Sequence, residues 1–251
     1  DLAVLGSAQV AALTSDQLRA IDSADLVGLN SDDIRALSGA QLATLTSTQF
    51  NALGTDQLAA LTSTQIANLG TSALGRLATD HLNALSTDQI RAITSAQLSA
   101  MDTAHIANLA TDDLAALSSV QIRAISTAGI AAFDSAHIAV LGSAQVGALT
   151  TDQIRAIETA DIHAIGTDAL AGLGSSQVAA LTSAQITAIG TDHLPTLSSV
   201  QLRGLQSAQL AALSSDTLNA LVSDQFKTLG TAQISPLTSA QIGALARQIS
   251  R

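Results

Sequence analysis

The sequence predicts an all-α solenoid, a superhelix of very short helices with one helix in every eight residues. Three observations carry that prediction. An apolar residue recurs at Leu5, Leu13, Ile21, Leu29 and onward to Leu245, so that all 31 positions of an unbroken step of eight hold Leu, Ile, Met or Phe. A second apolar series runs from Val10 through Leu18 and Leu26 to Ile242, with 30 positions filled only by Leu, Ile, Val or Phe. A polar series, Ser7, Ser15, Ser23 and on to Ser239, has 30 members, of which Gly39 alone is neither Ser nor Thr. The residue before the first series is usually small, as at Ala12, Ala20, Gly28 and Ala36, and the unit reads L-x-[ST]-x-Q-[LI]-x-A.

A continuous helix cannot use this period. At about 100° per residue, eight residues advance the helix by about 800° and leave each apolar pair rotated by roughly 80° from the last. The unit therefore has to be interrupted by a turn, and the residues of a helix start are present. With Thr14 as N-cap, Gln17 closes a capping box, Leu13 and Leu18 form a hydrophobic staple, and Asp16 sits in the first turn where the helix dipole favours an anion. With Ser15 as N-cap, the near invariance of the Ser/Thr series is accounted for, since the preceding position also holds Gly6, Gly54, Asp22, Ala78 and Val222. Either frame gives a helix from near Ser15 to Ala20 or Ile21, too short to be stable unless stacked on its neighbours. Gly54, Gly70, Asn30 or Asp22 at the junctions are residues that can take a left-handed conformation between one helix and the next. The rival architecture is a β-solenoid, because eight is also a multiple of two. Leu13 and Leu18 lie five apart and would fall on opposite faces of a strand, and Ala, Leu and Gln favour helix.

Uniform repetition over residues 1–251 points to a single continuous octad-repeat solenoid with no linker or charge run to divide it, and both ends fall inside the pattern, as in a segment of a longer array. Aromatic residues are 1% of the chain, with no Trp or Tyr, so the core is aliphatic and thin. The absence of Cys excludes disulfides, thiolate metal sites and a thiol nucleophile. A formal charge of −10 and a pI near 4.5 argue against nucleic acid or anionic lipid as partners. No apolar run approaches the roughly 20 residues of a membrane span, and no signal peptide opens the sequence.

The candidate chemistry lies in four ladders. The Gln slot, from Gln9 to Gln241, holds 18 Gln, four Asp (Asp25, Asp33, Asp113, Asp161), four His (His81, His105, His137, His193) and Ala73, Gly129, Ala169 and Thr217. A polar ladder can bind a ligand, but Gln, Asp and His share the ability to hydrogen-bond backbone at a helix start, and that is the expected role. The spacing of the His residues lacks any H-x-x-x-H pair, which disfavours metal or haem. Asp follows Ser or Thr in eleven octads, for example Asp16, Asp32, Asp56, Asp80 and Asp88. The helix dipole explains them without calcium, whose nonapeptide and EF-hand motifs are absent. Arg19, Arg35, Arg91, Arg123, Arg155, Arg203 and Lys227 share one position, expected to face solvent and serve solubility. No nucleophile elbow, phosphate loop or metal-protease motif occurs, and a Ser repeated with the same neighbours is a structural device. The expectation is a non-enzymatic chain with no catalytic, cofactor-binding or metal residues and no cofactor.

The phrases Leu181-Thr-Ser-Ala-Gln-Ile-Thr-Ala-Ile189 and Leu237-Thr-Ser-Ala-Gln-Ile-Gly-Ala-Leu245 resemble the octapeptide repeats of very large bacterial secreted or surface, adhesin-like proteins. That resemblance implies an extracellular or cell-surface setting and a structural role as stalk, spacer or self-assembling scaffold, and it carries over no catalytic motif. End-to-end self-association is expected where a solenoid coil lacks a polar cap. The alternative is a module that binds protein, glycan or ice on the solenoid surface. A groove binder should show clustered irregular octads and an ice binder a regular Thr array, whereas Gly39, Gly129, Pro195 and Pro236 are scattered and the polar series mixes Ser with Thr.

Overall fold

The computed structural model describes residues 2–75 and 77–243. Among them every regular element is helical, and most octads contribute one α-helix of four to six residues, such as Ser15–Ala20, Ser31–Ala36, Thr55–Ala60, Ser95–Ala100 and Ser175–Ala180. By their contacts the residues form two units, Asp1–Ile125 and Ser126–Arg251. Each is an all-α solenoid.

The break between helices is made by two successive extended residues. Ile21 (φ −70°, ψ 131°) ends one helix and Asp22 (φ −63°, ψ 137°) opens the next, and Leu37 and Ser38 repeat the arrangement. The second of the pair is the N-cap, which settles the frame. Thr14 caps Ser15–Ala20, its Oγ1 accepting from the Gln17 amide while Gln17 Oε1 accepts from the Thr14 amide at 2.8 Å. The expected left-handed junctions are a correction. Gly54, Gly70, Asn30 and Asp22 are all extended N-caps, and among the described residues Gly190 alone has a positive φ, 77°. An N-cap needs β-region backbone, which any residue adopts, so Gly serves here without using its special freedom. Half of the capping box is enough. Gln57 Oε1 still accepts from the Gly54 amide at 2.8 Å although Gly54 has no side chain to return the bond.

This arrangement predicts a graded response at Thr94, whose Oγ1 accepts from the Gln97 amide and donates to Gln97 Oε1. Thr94→Ala is expected to cost about 1 kcal/mol in urea unfolding, and Thr94→Gly only a few tenths, because Gly leaves the cap backbone open to solvent. Equal losses would show that access of solvent to the cap backbone makes no difference, and no loss in either variant that the cap hydroxyl contributes nothing.

Packing follows a fixed step. In the first unit Ser31–Ala36 lies on Thr55–Ala60 and Ser95–Ala100 on Ser119–Ala124, three octads later in each case. In the second unit Ser175–Ala180 lies on Ser199–Gly204, and Ser207–Ala212 on Thr231–Ile234, by the same step. Both apolar series are buried without exception from Leu26 to Leu221. One places the middle of each helix inside the coil and the other places the residue after its end there, which is why both recur every eight residues. Pro195 stands in a 3₁₀ turn, Leu194–Thr196, where its missing N–H is tolerated, and Pro236 follows the end of Thr231–Ile234.

Candidate functional site

The Gln ladder is the feature that sequence alone offers as a binding surface, and its geometry is closed. Gln97 is 1% exposed. Its Oε1 accepts from the Thr94 amide at 2.7 Å, and its Nε2 donates to the carbonyls of Ile66 at 2.8 Å and Leu69 at 2.7 Å. The same reach, to the residues 31 and 28 earlier, is made by Gln57, Gln65 and Gln89 in the first unit and by Gln177, Gln185, Gln201, Gln209 and Gln233 in the second. Those carbonyls belong to the C-terminal end of the helix four octads back, where a helix leaves acceptors without intrahelical donors. Packing on the helix three octads back and bonding to the one four back places a single coil between three and four octads. The amide group accepts from its own N-cap through Oε1 and donates to the previous coil through Nε2.

Asp in this slot cannot donate, and it turns to the Ser/Thr series instead. Asp33 accepts from Ser7 Oγ at 2.8 Å and Asp113 from Thr87 Oγ1 at 3.3 Å, and Asp161 accepts from Ser135 Oγ, each across a step of 26 residues. Burial pushes the Asp113 carboxyl up. Elsewhere the same Ser/Thr position bonds a carbonyl 25 residues ahead, as Ser207 Oγ does to Ala232 at 2.8 Å. Among the described residues six members of the Ser/Thr series, at the first helical residue one place after the cap, bond forward in this way. Sequence reasoning missed it because the partner is remote in the chain.

Three of the four His residues in the slot are likewise absorbed. His105 Nε2 meets the Leu77 carbonyl at 2.7 Å and its Nδ1 meets Asp102 Oδ1 at 2.6 Å, so the ring reaches the previous coil as Gln does but meets the side chain of its N-cap in place of the N-cap amide. Asp102 is held below the usual carboxylate value by bonds from the His105 amide and then its ring. His137 pairs with Asp134 in the same way at 2.6 Å and stacks on Phe133 with ring centres 5.3 Å apart. In both cases Asp replaces Thr or Ser at the N-cap. His81 lacks that Asp and meets Asn51 Oδ1 at 3.3 Å. Among the described residues, no three His, Cys, Asp or Glu side chains gather as a metal site requires.

The basic position does more than the expected solubilising. Arg35, Arg91, Arg155 and Lys227 pair with Asp32, Asp88, Asp152 and Asp224 three residues before them, as exposed pairs of small energetic weight. Arg19, Arg91 and Arg155 also donate Nε to the carbonyls of Thr44, Ala116 and Ala180, 25 residues ahead. These arginines therefore bridge coils.

Among the described residues no helix is long and apolar enough to cross a membrane. Among curated proteins no match in sequence is found. The model of the ALTTAQ repeat matches residues 18–55, 40–71, 50–87, 74–111, 106–141, 130–156, 154–191 and 186–223, which overlap without a gap from 18 to 223. The chain belongs to the ALTTAQ repeat family.

Proposed function

We propose that this chain is a non-enzymatic structural repeat module that serves as a stalk, spacer or self-assembling scaffold of a bacterial secreted or cell-surface protein. Membership of a repeat family supports the structural part of that reading. The observation that carries it is the closure of the Gln ladder, whose amides are taken up by backbone from their own cap and from the previous coil. A side chain spent on holding coils together leaves little with which to recognise a ligand or activate a substrate, and Gln octads from Gln41 onward spend it in that way. The secreted or surface setting is supported by the likeness of the octapeptide to repeats of such proteins, and a Cys-free, acidic composition permits it.

Electron microscopy of the purified chain, over a range of concentrations and with or without calcium, tests the proposal. Rods of constant width that join end to end as concentration rises are the expected result. Discrete particles at every concentration, together with saturable binding to a glycan or protein, would replace the scaffold by a binding module.

A further inference from the structure

The ladder is not uniform: single gaps stand at Asp113, His193 and Thr217, and at two places two consecutive slots lack the tie. In the first unit Ala73 and His81 occupy consecutive Gln slots, and in the second Asp161 and Ala169 do. A methyl group makes no hydrogen bond, so the Leu45 and Leu141 carbonyls, which stand 28 residues before Ala73 and Ala169, receive no side-chain donor. His81 is drawn to Asn51 and makes no bond to Leu53, and the Asp161 carboxylate takes the Ser135 hydroxyl and can offer nothing to Phe133.

The helices at these places are short: Thr71–Leu74, Thr79–Leu82 and Thr167–Leu170 have four residues each, and the octad of Asp161 forms only the 3₁₀ turn Ile162–Ala164. Helix length does not follow the slot alone, since Ser223–Phe226 and Thr231–Ile234 carry Gln with four residues and Thr111–Ala116 carries Asp with six. What sets the two places apart is the loss of two consecutive ties to the previous coil.

We infer that these two octad pairs are opening points, the places where each solenoid unit separates coil from coil ahead of its neighbours. In a solenoid each octad is held only by local stacking and contacts to adjacent coils, so loss of two consecutive ties lowers the free energy of opening more there than at a single gap. The inference holds whether the chain is a scaffold or a binding module, because it concerns the ladder alone.

Hydrogen exchange of the full chain, read amide by amide, tests it. Leu82, Ile162 and Leu170 donate to the carbonyl four residues back, as Leu58, Ile66, Leu98 and Val178 do, so the comparison is between like hydrogen bonds. The first group is expected to exchange at least about tenfold faster, the factor that corresponds to loss of one net hydrogen bond of ordinary strength. Ala169→Gln, which offers a donor to Leu141, should slow exchange at Leu170 by about the same factor. Gln97→Ala, the converse change, should accelerate exchange at Leu98 and keeps the test decisive if Ala169→Gln does not fold. Equal protection in the two groups, or an unmoved Leu98 in Gln97→Ala, would overturn the inference.

Discussion

Gln97→Ala is expected to lower the unfolding free energy of the first unit by about 2–4 kcal/mol, since it strips partners from buried backbone groups on two coils at once. The side chain bonds the Thr94 amide and hydroxyl on its own helix and the Ile66 and Leu69 carbonyls of an earlier coil. With Gln97 1% exposed, no water replaces those partners without a rearrangement of the coil. Gln17 supplies the internal control. It has the same neighbours in sequence and the same bond to its N-cap, from the Thr14 amide at 2.8 Å, but it is exposed. Gln17→Ala is expected to cost less than about 1 kcal/mol, the value of a cap bond open to solvent. Urea unfolding of the two variants decides the matter, and similar losses would show that the bond between coils has no energetic role. The protein also indicates its own rescue. His105 with Asp102 joins its own N-cap to the previous coil, as Gln does, so Gln97→His combined with Thr94→Asp is expected to recover stability that Gln97→His alone does not.

That experiment bears on how much of the molecule can be read from its sequence. The period, the apolar slots, the helix length and the capping box are local, and they are all visible in a stretch such as Leu13 to Ile21. Thr14 or Ser15 could not be chosen as N-cap because each is supported by a different local fact. The structure assigns the cap to Thr14, and members of the Ser15 series such as Ser7 and Ser207 bond residues 26 or 25 positions ahead. The same remoteness hid the coil-bridging arginines, and it made the number of octads per coil illegible, because a small rotation per octad decides it and no single octad records that angle. The destination of Gln was anticipated in kind, as a bond to backbone, and the address of the carbonyl was not.

Gly172 is the sharpest case of a residue whose meaning lies in the next coil. It occupies the small slot that Ala180 and Ala212 fill elsewhere, and no left-handed backbone calls for glycine there. A Cβ placed on Gly172 would stand 2.1 Å from the Ser143 carbonyl oxygen and 2.8 Å from its carbon, and one placed on Gly147 would stand 2.7 Å from the Gly172 carbonyl oxygen. The obstruction is backbone, which cannot swing aside as a side chain does, so the coils must part. Gly172→Ala is therefore expected to destabilise the second unit by about 1–3 kcal/mol, the usual cost of overpacking. Gly166→Ala is the control. Nothing lies within 4 Å of its added Cβ, and the gain from a stiffer unfolded chain, about 0.4–1 kcal/mol, offsets the small preference for Gly over Ala at an N-cap. Thermal and urea unfolding of the pair separates proximity from propensity. A Gly172→Ala variant as stable as Gly166→Ala would mean that the coils have room at Ser143, and that Gly172 is only a chance member of the small series. A large loss confined to Gly172 would mean that spacing between coils, more than helix propensity, selects the residue in that slot.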